Sequence, residues 1–255
     1  MKILRAVTQV RKALEPFSEV GLVPTMGAFH EGHLSLFVAA REESDAVIAS
    51  LFVNPAQFGA GEDLDRYPRD EERDVTLAEQ AGVDFLFAPS TEDMYPPGYE
   101  TWVDVGDLGR RLEGEFRPGH FRGVATVCLK LFNIVRPSRA YFGQKDAQQA
   151  AVVKRVVADL DLDVEIRVLP TVRDEDGLAL STRNAYLSPE EREAALALPR
   201  ALATKDPAKA RELLGSLNVD YVEVAELDGQ SVLAAAVHIG DTRLIDNVIL
   251  EGETK

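Results

Sequence analysis

Two of the four histidines in this chain, His30 and His33, lie three residues apart in the run Met26-Gly27-Ala28-Phe29-His30-Glu31-Gly32-His33. A short apolar segment, Val20-Gly21-Leu22-Val23, reads as a buried strand ending at Pro24, and a helical pattern runs from about His33 to Glu43. The histidines therefore fall where a strand passes into a helix, and their spacing sets both imidazoles on one face of its first turn. The start of a helix offers unpaired N–H groups and a partial positive charge, which attract phosphate. Gly27 and Gly32 let the backbone come close to a nucleotide. A zinc site and a purely structural histidine pair are the competing readings. Against zinc, His-Glu-Gly-His lacks the His-Glu-x-x-His spacing, and no cysteine pair or further histidine lies nearby.

Three other segments could do chemistry, each weak on its own. Gly143-Gln144-Lys145-Asp146 follows the strand-like Ala140-Tyr141-Phe142 and opens a helix. Lys145 offers a point charge for phosphate, and Asp146 suits a helix cap. The segment is not a Walker A loop. Leu180-Ser181-Thr182-Arg183-Asn184 sets hydroxyls beside an arginine after the turn-rich link Asp174-Glu175-Asp176-Gly177. It suits a mobile phosphate clamp, and equally an ordinary polar loop. Phe52-Val53-Asn54-Pro55-Ala56-Gln57-Phe58, with Gln148-Gln149 later, supplies amides that recognise hydroxyls or carboxylates without adding charge.

The elements that must position these residues alternate. Strands are expected at 45–53, 83–87, 140–142 and 164–169, and helices at 70–81, 121–135 (ended by Pro137) and 146–160. Short links between them indicate a parallel, Rossmann-like sheet wrapped by helices. The loops 24–32, 54–61 and 143–146 all follow strands, so they are expected on the carboxyl rim where such sheets bind ligands. A domain of residues 1–174 is expected, followed by a smaller α+β domain over 175–255. In the latter, Ser188 and Pro189 start a helix, and strand-like runs cover 221–227 and 244–250.

Composition narrows the partners. The formal net charge is -15, which disfavours nucleic acid or an anionic membrane. Yet from Arg110 to Arg155 ten Lys or Arg stand against three acidic residues, a local excess that suits an anionic small molecule or simple surface scatter. No apolar run is long enough to span a bilayer, and no signal peptide is visible. The single cysteine, Cys128, sits among Val127, Leu129 and Leu131 as a core hydrophobe and fits a reducing cytoplasm.

Taken together, PTMGAFHEGHLSL (24–36), SLFVNPAQFGAGEDLDRYPRD (50–70), LEGEFRPGHFRGV (112–124), RPSRAYFGQKDAQQ (136–149) and DGLALSTRNAYLS (176–188) resemble the pantothenate synthetase family, in its order and spacing over roughly residues 1–190. That family belongs to the nucleotidyltransferases with HIGH-like and KMSKS-like motifs, represented here by His30 to His33 and Ser181 to Arg183. The resemblance implies ATP-dependent joining of pantoate to β-alanine through a pantoyl adenylate, with Mg2+, in a cytoplasmic homodimer whose C-terminal domain closes over the site. It implies ATP contacts at Pro24, Thr25, Met26, Gly27, His30, Gly32, His33, Gly143, Gln144, Lys145, Asp146, Val172, Leu180, Ser181, Thr182 and Arg183. It further implies catalytic roles for His33, His30, Lys145 and Arg183, pantoate binding by Gln57 and Gln149, β-alanine binding by Gln57, and no metal held by protein side chains. Gln144 stands where Glu is usual in the family and Thr182 where Ser is usual. A dinucleotide-forming adenylyltransferase and a nucleotide sensor without turnover are the alternatives. The glutamines and the FVNPAQF loop argue against the first, and the intact His, Lys and Arg positions against the second.

Overall fold

The computed structural model describes residues 1–250. The last five positions of the 175–255 domain expected from the sequence lie outside the described residues. In chain order the elements are β1 (Lys2–Leu4), α1 (Val7–Leu14), β2 (Val20–Val23), α2 (Glu31–Glu43), β3 (Ala46–Ser50), α3 (Glu71–Gln80), β4 (Phe85–Phe87), α4 (Thr91–Met94), α5 (Glu113–Phe116), α6 (His120–Val135), β5 (Arg139–Gly143), α7 (Ala147–Asp159), β6 (Glu165–Leu169), α8 (Pro189–Ala195), α9 (Ala197–Leu202), α10 (Pro207–Leu213), β7 (Asn218–Leu227), β8 (Gln230–Ile239) and β9 (Thr242–Ile249). They divide into two compact units, residues 1–142 with 152–169, and residues 143–151 with 170–255.

The first unit is built on a parallel sheet in the order β1-β4-β3-β2-β5-β6. The inner strands β2, β3, β4 and β5 are buried on both faces, which is why they read as continuous apolar runs rather than alternating ones. On one face Leu22, Ile48, Phe85, Phe87, Ala140 and Phe142 pack with Val10 and Leu14 of α1, the apolar stripe of α6 and Val152, Val153 and Val156 of α7. On the other, Val23, Val47, Ala49, Leu86 and Tyr141 pack with Phe29, with Phe37 and Ala40 of α2, and with Ala78 of α3. The chain runs outward from β2 through β3 to β4, then resumes on the opposite side at β5. The strand order thus reverses between β2 and β5, the kind of switch point where such sheets bind ligands. Cys128 lies in the first of these cores, and burial pushes its thiol up to about 12, so it remains a protonated core residue.

The second unit has a three-stranded antiparallel sheet, β7-β8-β9. The β7–β8 turn is Asp228-Gly229, both with positive φ as a tight hairpin requires. Leu233, Ala235, Val237 and Leu244 of this sheet pack with Ala195, Leu198, Ala201, Leu202 and Ala210 of α8 to α10. Asp174 to Gly177, read from the sequence as a link, is a turn inside this unit. The Gly177 N–H donates to the Asp174 carbonyl at 2.9 Å, Arg173 bridges to Ala179, and Arg192 pairs with Asp174 and Asp176 at 2.6 and 2.7 Å. Among the described residues no helix is long and apolar enough to cross a membrane.

The start of α8 forms as its sequence indicated. The Glu191 N–H donates to Ser188 Oγ at 3.2 Å, and the Ser188 N–H donates to Glu191 Oε2 at 2.9 Å, a reciprocal cap followed by Pro189. Ser188→Ala removes the side-chain acceptor and is expected to lower stability by about 1 kcal/mol. Urea unfolding followed by circular dichroism checks this, and an unchanged midpoint would mean that the cap contributes nothing.

Candidate functional site

The loop between β2 and α2 is bent by two successive left-handed residues, Gly27 (φ 88) and Ala28 (φ 52). At Gly27 a Cβ would lie 2.6 Å from a Leu51 methyl and 2.9 Å from Asp74 Oδ2, so this position has room only for glycine. The bend is held by Asp74, buried on α3, whose carboxylate accepts the Ala28 N–H at 2.8 Å and the Phe29 N–H at 2.7 Å. Burial raises the Asp74 pKa, these two bonds oppose the rise, and the net position is above the usual carboxylate value. At the loop's base the Thr25 N–H donates to Ser50 Oγ at 3.1 Å, and the Thr25 hydroxyl donates to the Ser50 carbonyl, tying the ends of β2 and β3 together.

This bend delivers Phe29 into the core and makes His30 the N-cap of α2. The Gly32 N–H donates to His30 Nδ1 at 3.2 Å, and the His30 N–H donates to His33 Nδ1 at 3.3 Å. Since Nδ1 accepts in both rings, the ring proton of each sits on Nε2, on the edge turned away from the helix's own first turn. The two rings lie 4.2 Å apart, and the Phe29 ring backs His33 at 5.5 Å. The pair thus presents N–H donors beside the start of a helix, the polarity an anion requires.

The loop after β3 carries Gln57, in a short 3-10 turn over Pro55–Gln57. The buried Asn54 fixes its side chain. Asn54 Oδ1 accepts the Ala56 N–H at 3.3 Å and the Tyr95 hydroxyl at 2.9 Å, and Asn54 Nδ2 donates to the Gly123 carbonyl at 3.2 Å and to Gln57 Oε1 at 2.9 Å. The Ala56 N–H can only donate and the Gly123 carbonyl can only accept, so the Asn54 amide has one orientation. That in turn makes Gln57 Oε1 the acceptor and leaves Gln57 Nε2 as the donating end. Among the described residues Nε2 meets only a thioether, Met26 Sδ at 3.3 Å, a weak acceptor that an oxygen of a ligand can replace. Sequence reasoning missed Asn54, Tyr95 and Asp74 as positioning groups, because the partners that fix them, Gly123 and Tyr95 for Asn54 and the Ala28–Phe29 backbone for Asp74, include groups remote in the chain.

In the second unit, Asn247 of β9 holds the segment after β5. Its Nδ2 donates to the carbonyls of Gln144 at 2.9 Å and Lys145 at 2.8 Å, and its Oδ1 accepts from Gln144 Nε2 at 3.1 Å. Neighbouring Asp246, also buried, takes both arms of Arg173 at 2.6 and 3.0 Å and the Asn247 N–H at 2.8 Å. Lys145 Nζ lies 3.5 Å from Asp146. The Leu180 N–H donates to the Val172 carbonyl at 3.0 Å, so Val172 and Leu180 face each other across the 174–177 turn. Ser181 caps the short turn Thr182–Tyr186, its Oγ accepting the Arg183 N–H at 3.3 Å. Gln149 lies half-buried on the first turn of α7. Of the residues singled out from the sequence, Thr25, Met26, Gly27, His30, Gly32, His33 and Gln57 thus fall together on the rim of the first unit. Gly143 to Asp146, Gln149, Val172 and Leu180 to Arg183 fall in the second.

A family model described as pantoate-beta-alanine ligase matches residues 2–249. The likeness therefore continues through the tail, past the residue-190 limit of the motifs. The chain is 53% identical to the pantothenate synthetase of Pelotomaculum thermopropionicum, with 94% of each covered, and 51% identical to that of Chloroflexus aurantiacus, with 100% of each covered. The crystal structure of pantothenate synthetase from Thermus thermophilus matches with a TM-score of 0.94 at 46% identity, covering 97% of this chain and 99% of that one. The pantoate-beta-alanine ligase of Francisella tularensis, crystallised with beta-gamma ATP and beta-alanine, matches with a TM-score of 0.89 at 35% identity, covering 98% and 97%.

One buried group in the first unit makes stability depend on pH. His120 is held down to about 4, chiefly by burial and then by the charge of Arg117. Above pH ~6.5 the imidazole is neutral in both folded and unfolded chains. As pH falls from there toward 4, the unfolded chain takes up a proton that the folded one refuses, so stability drops, by about 3 kcal/mol over that window. His120→Asn removes the titrating group and is expected to flatten the fall. Thermal midpoints of the two proteins at intervals between pH 7 and 4 check this, and parallel curves would contradict it.

Proposed function

The chain belongs to the pantoate–β-alanine ligase family, and on that premise we propose that it condenses pantoate with β-alanine, using ATP, by way of a pantoyl adenylate. The observation that carries this reading is the juxtaposition of two kinds of donor on one rim. The Nε2–H groups of His30 and His33, at the start of α2, suit phosphate, and the fixed amide of Gln57 suits an uncharged or carboxylate oxygen. In the first step the pantoate carboxylate attacks the α-phosphorus of ATP, forming the mixed anhydride and displacing pyrophosphate. In the second, the amine of β-alanine attacks the acyl carbon, loses a proton as the amide forms, and displaces AMP. ATP is proposed to enter as its Mg2+ complex; the ion would offset charge on the phosphates and would need few protein ligands.

No protein nucleophile is required, because pantoate supplies it. The protein's task is to hold the reactants in line and to offset negative charge building on the phosphates. We assign charge stabilisation to His33, His30, Lys145 and Arg183, and nucleotide contacts to residues 24–27, Gly32, residues 143–146, Val172 and residues 180–183. Gln57 and Gln149 are assigned to pantoate, Gln57 also facing β-alanine. The Gln57 amide, with Oε1 held by Asn54, has Nε2–H to offer to a carboxylate or hydroxyl oxygen of pantoate. The working form is proposed to be a cytoplasmic homodimer.

AMP release is expected to require ATP, pantoate and β-alanine together, measured by omitting each in turn, and AMP formed without pantoate would refute the assignment. His33→Ala is expected to slow adenylate formation by roughly 10²-fold or more while the protein stays folded. Single-turnover assays with ATP and pantoate read this directly, and a normal rate would return His33 to a structural role. Gln57→Ala is expected to weaken pantoate binding by about 1–3 kcal/mol with ATP binding unchanged. Calorimetric titration of each ligand separates the two, and equal losses would count against the pocket.

A further inference from the structure

A chain of polar groups in the first unit, the partly buried Glu62 and Arg117 and the buried His120, takes no part in the chemistry above, yet it ends on the main chain of Gln57. His120, the first residue of α6, donates from Nδ1 to the Gln57 carbonyl at 2.8 Å, and its Nε2 lies 3.2 Å from Arg117. A carbonyl only accepts and a guanidinium only donates, so both ring nitrogens are committed, with Nδ1 protonated and Nε2 accepting. Arg117 is itself clamped by both oxygens of Glu62, at 2.6 and 3.1 Å, with Glu113 at 3.9 Å. Glu62, Glu113 and Arg117 are the charged groups that act on the imidazole. A second contact lies one turn along the helix. A Cβ at Gly123 would lie 2.3 Å from the Ala56 carbonyl oxygen and 2.6 Å from the Gln57 nitrogen, and the Gly123 carbonyl accepts from Asn54. The 54–57 loop is thus seated on the first turn of α6 with no space between their backbones, and His120 sets its far end.

We propose that His120, oriented by Arg117, is a positioning residue that holds the Gln57 backbone where the Gln57 amide meets pantoate. This rests on the assignment of Gln57 to pantoate. Losing the Nδ1 donor frees the Gln57 carbonyl and lets the turn rotate, which displaces the amide without touching the nucleotide contacts. Burial holds the imidazole far below its ordinary value, so the ring stays in this neutral form at physiological pH.

The test compares steady-state constants of His120→Ala, Gln57→Ala and the double variant in the complete reaction. His120→Ala is expected to raise the KM for pantoate about 10-fold, with the KM for ATP within about 2-fold of the unsubstituted protein. In the Gln57→Ala background the same change is expected to add less than about 2-fold, because there is no amide left to position. His120→Asn, whose amide can donate from nearly the Nδ1 position, is expected to restore most of the loss, whereas His120→Gln, which reaches toward the Nε2 position, is not. If His120→Ala does not fold, the Asn and Gln variants give the same comparison. An unchanged KM for pantoate, an equal rise for ATP, or full additivity with Gln57→Ala overturns the proposal. An unsubstituted protein that releases no AMP with pantoate and β-alanine refutes instead the assignment on which it rests.

Discussion

The carboxylate of Asp74, buried on α3, is the contact on which the geometry of the first rim depends. A left-handed residue other than glycine costs about 1–2 kcal/mol, and Ala28 adopts that conformation directly after Gly27. Two charge-assisted bonds from consecutive backbone N–H groups to the two Asp74 oxygens offset that cost. The bend they stabilise drops Phe29 into the apolar layer behind the sheet and leaves His30 in extended backbone at the head of α2, where it caps the helix. From there the tautomer of both histidines follows, since each Nδ1 is occupied by a backbone N–H. One buried carboxylate thus decides where two donors point.

The loop after β3 follows the same logic with neutral groups. Asn54 is almost wholly buried, and an amide so placed must satisfy both its ends. Two backbone partners of fixed polarity orient it, and it passes that polarity on to Gln57. Such a network has a single arrangement, so the side chain is prepared before any ligand arrives, which limits the ordering lost on binding. Gly123 is the steric counterpart, its missing side chain being what lets α6 approach the loop so closely.

In the second unit, a strand near the end of the described chain holds a segment that leaves β5 about a hundred residues earlier. Asn247 bonds to two successive carbonyls of the Gln144–Asp146 turn, and Asp246 beside it anchors Arg173 at the root of the 174–177 hairpin. Adjacent residues on a strand project to opposite sides, so this pair serves two loops at once. One strand thus anchors both the turn that carries Lys145 and the root of the hairpin that precedes Arg183, although the sequence separates them widely.

Much of this was legible in the sequence. The doubly buried strands announced themselves as short apolar runs, α2, α3, α6 and α7 through 3.6-residue periodicity, and α8 by its Ser-Pro-Glu-Glu start, because each signal is local and written in consecutive residues. The histidine pair was visible for the same reason. By contrast, β8 escaped notice. Its Ala234-Ala235-Ala236 stretch has no strand preference of its own and is made a strand by pairing with β7 on one side and β9 on the other. The Asp74, Asn54, His120 and Asn247 contacts were invisible too. Each has a partner tens of residues or more away, and one buried aspartate or asparagine looks like any other until folding removes water from around it. Sequence alone determined the alternating strands and helices from β2 to β6, the order in which they come and the chemical types available at the loops. Only the tertiary structure decided which polar groups were buried together, and burial is what converts a short list of donors and acceptors into one fixed arrangement.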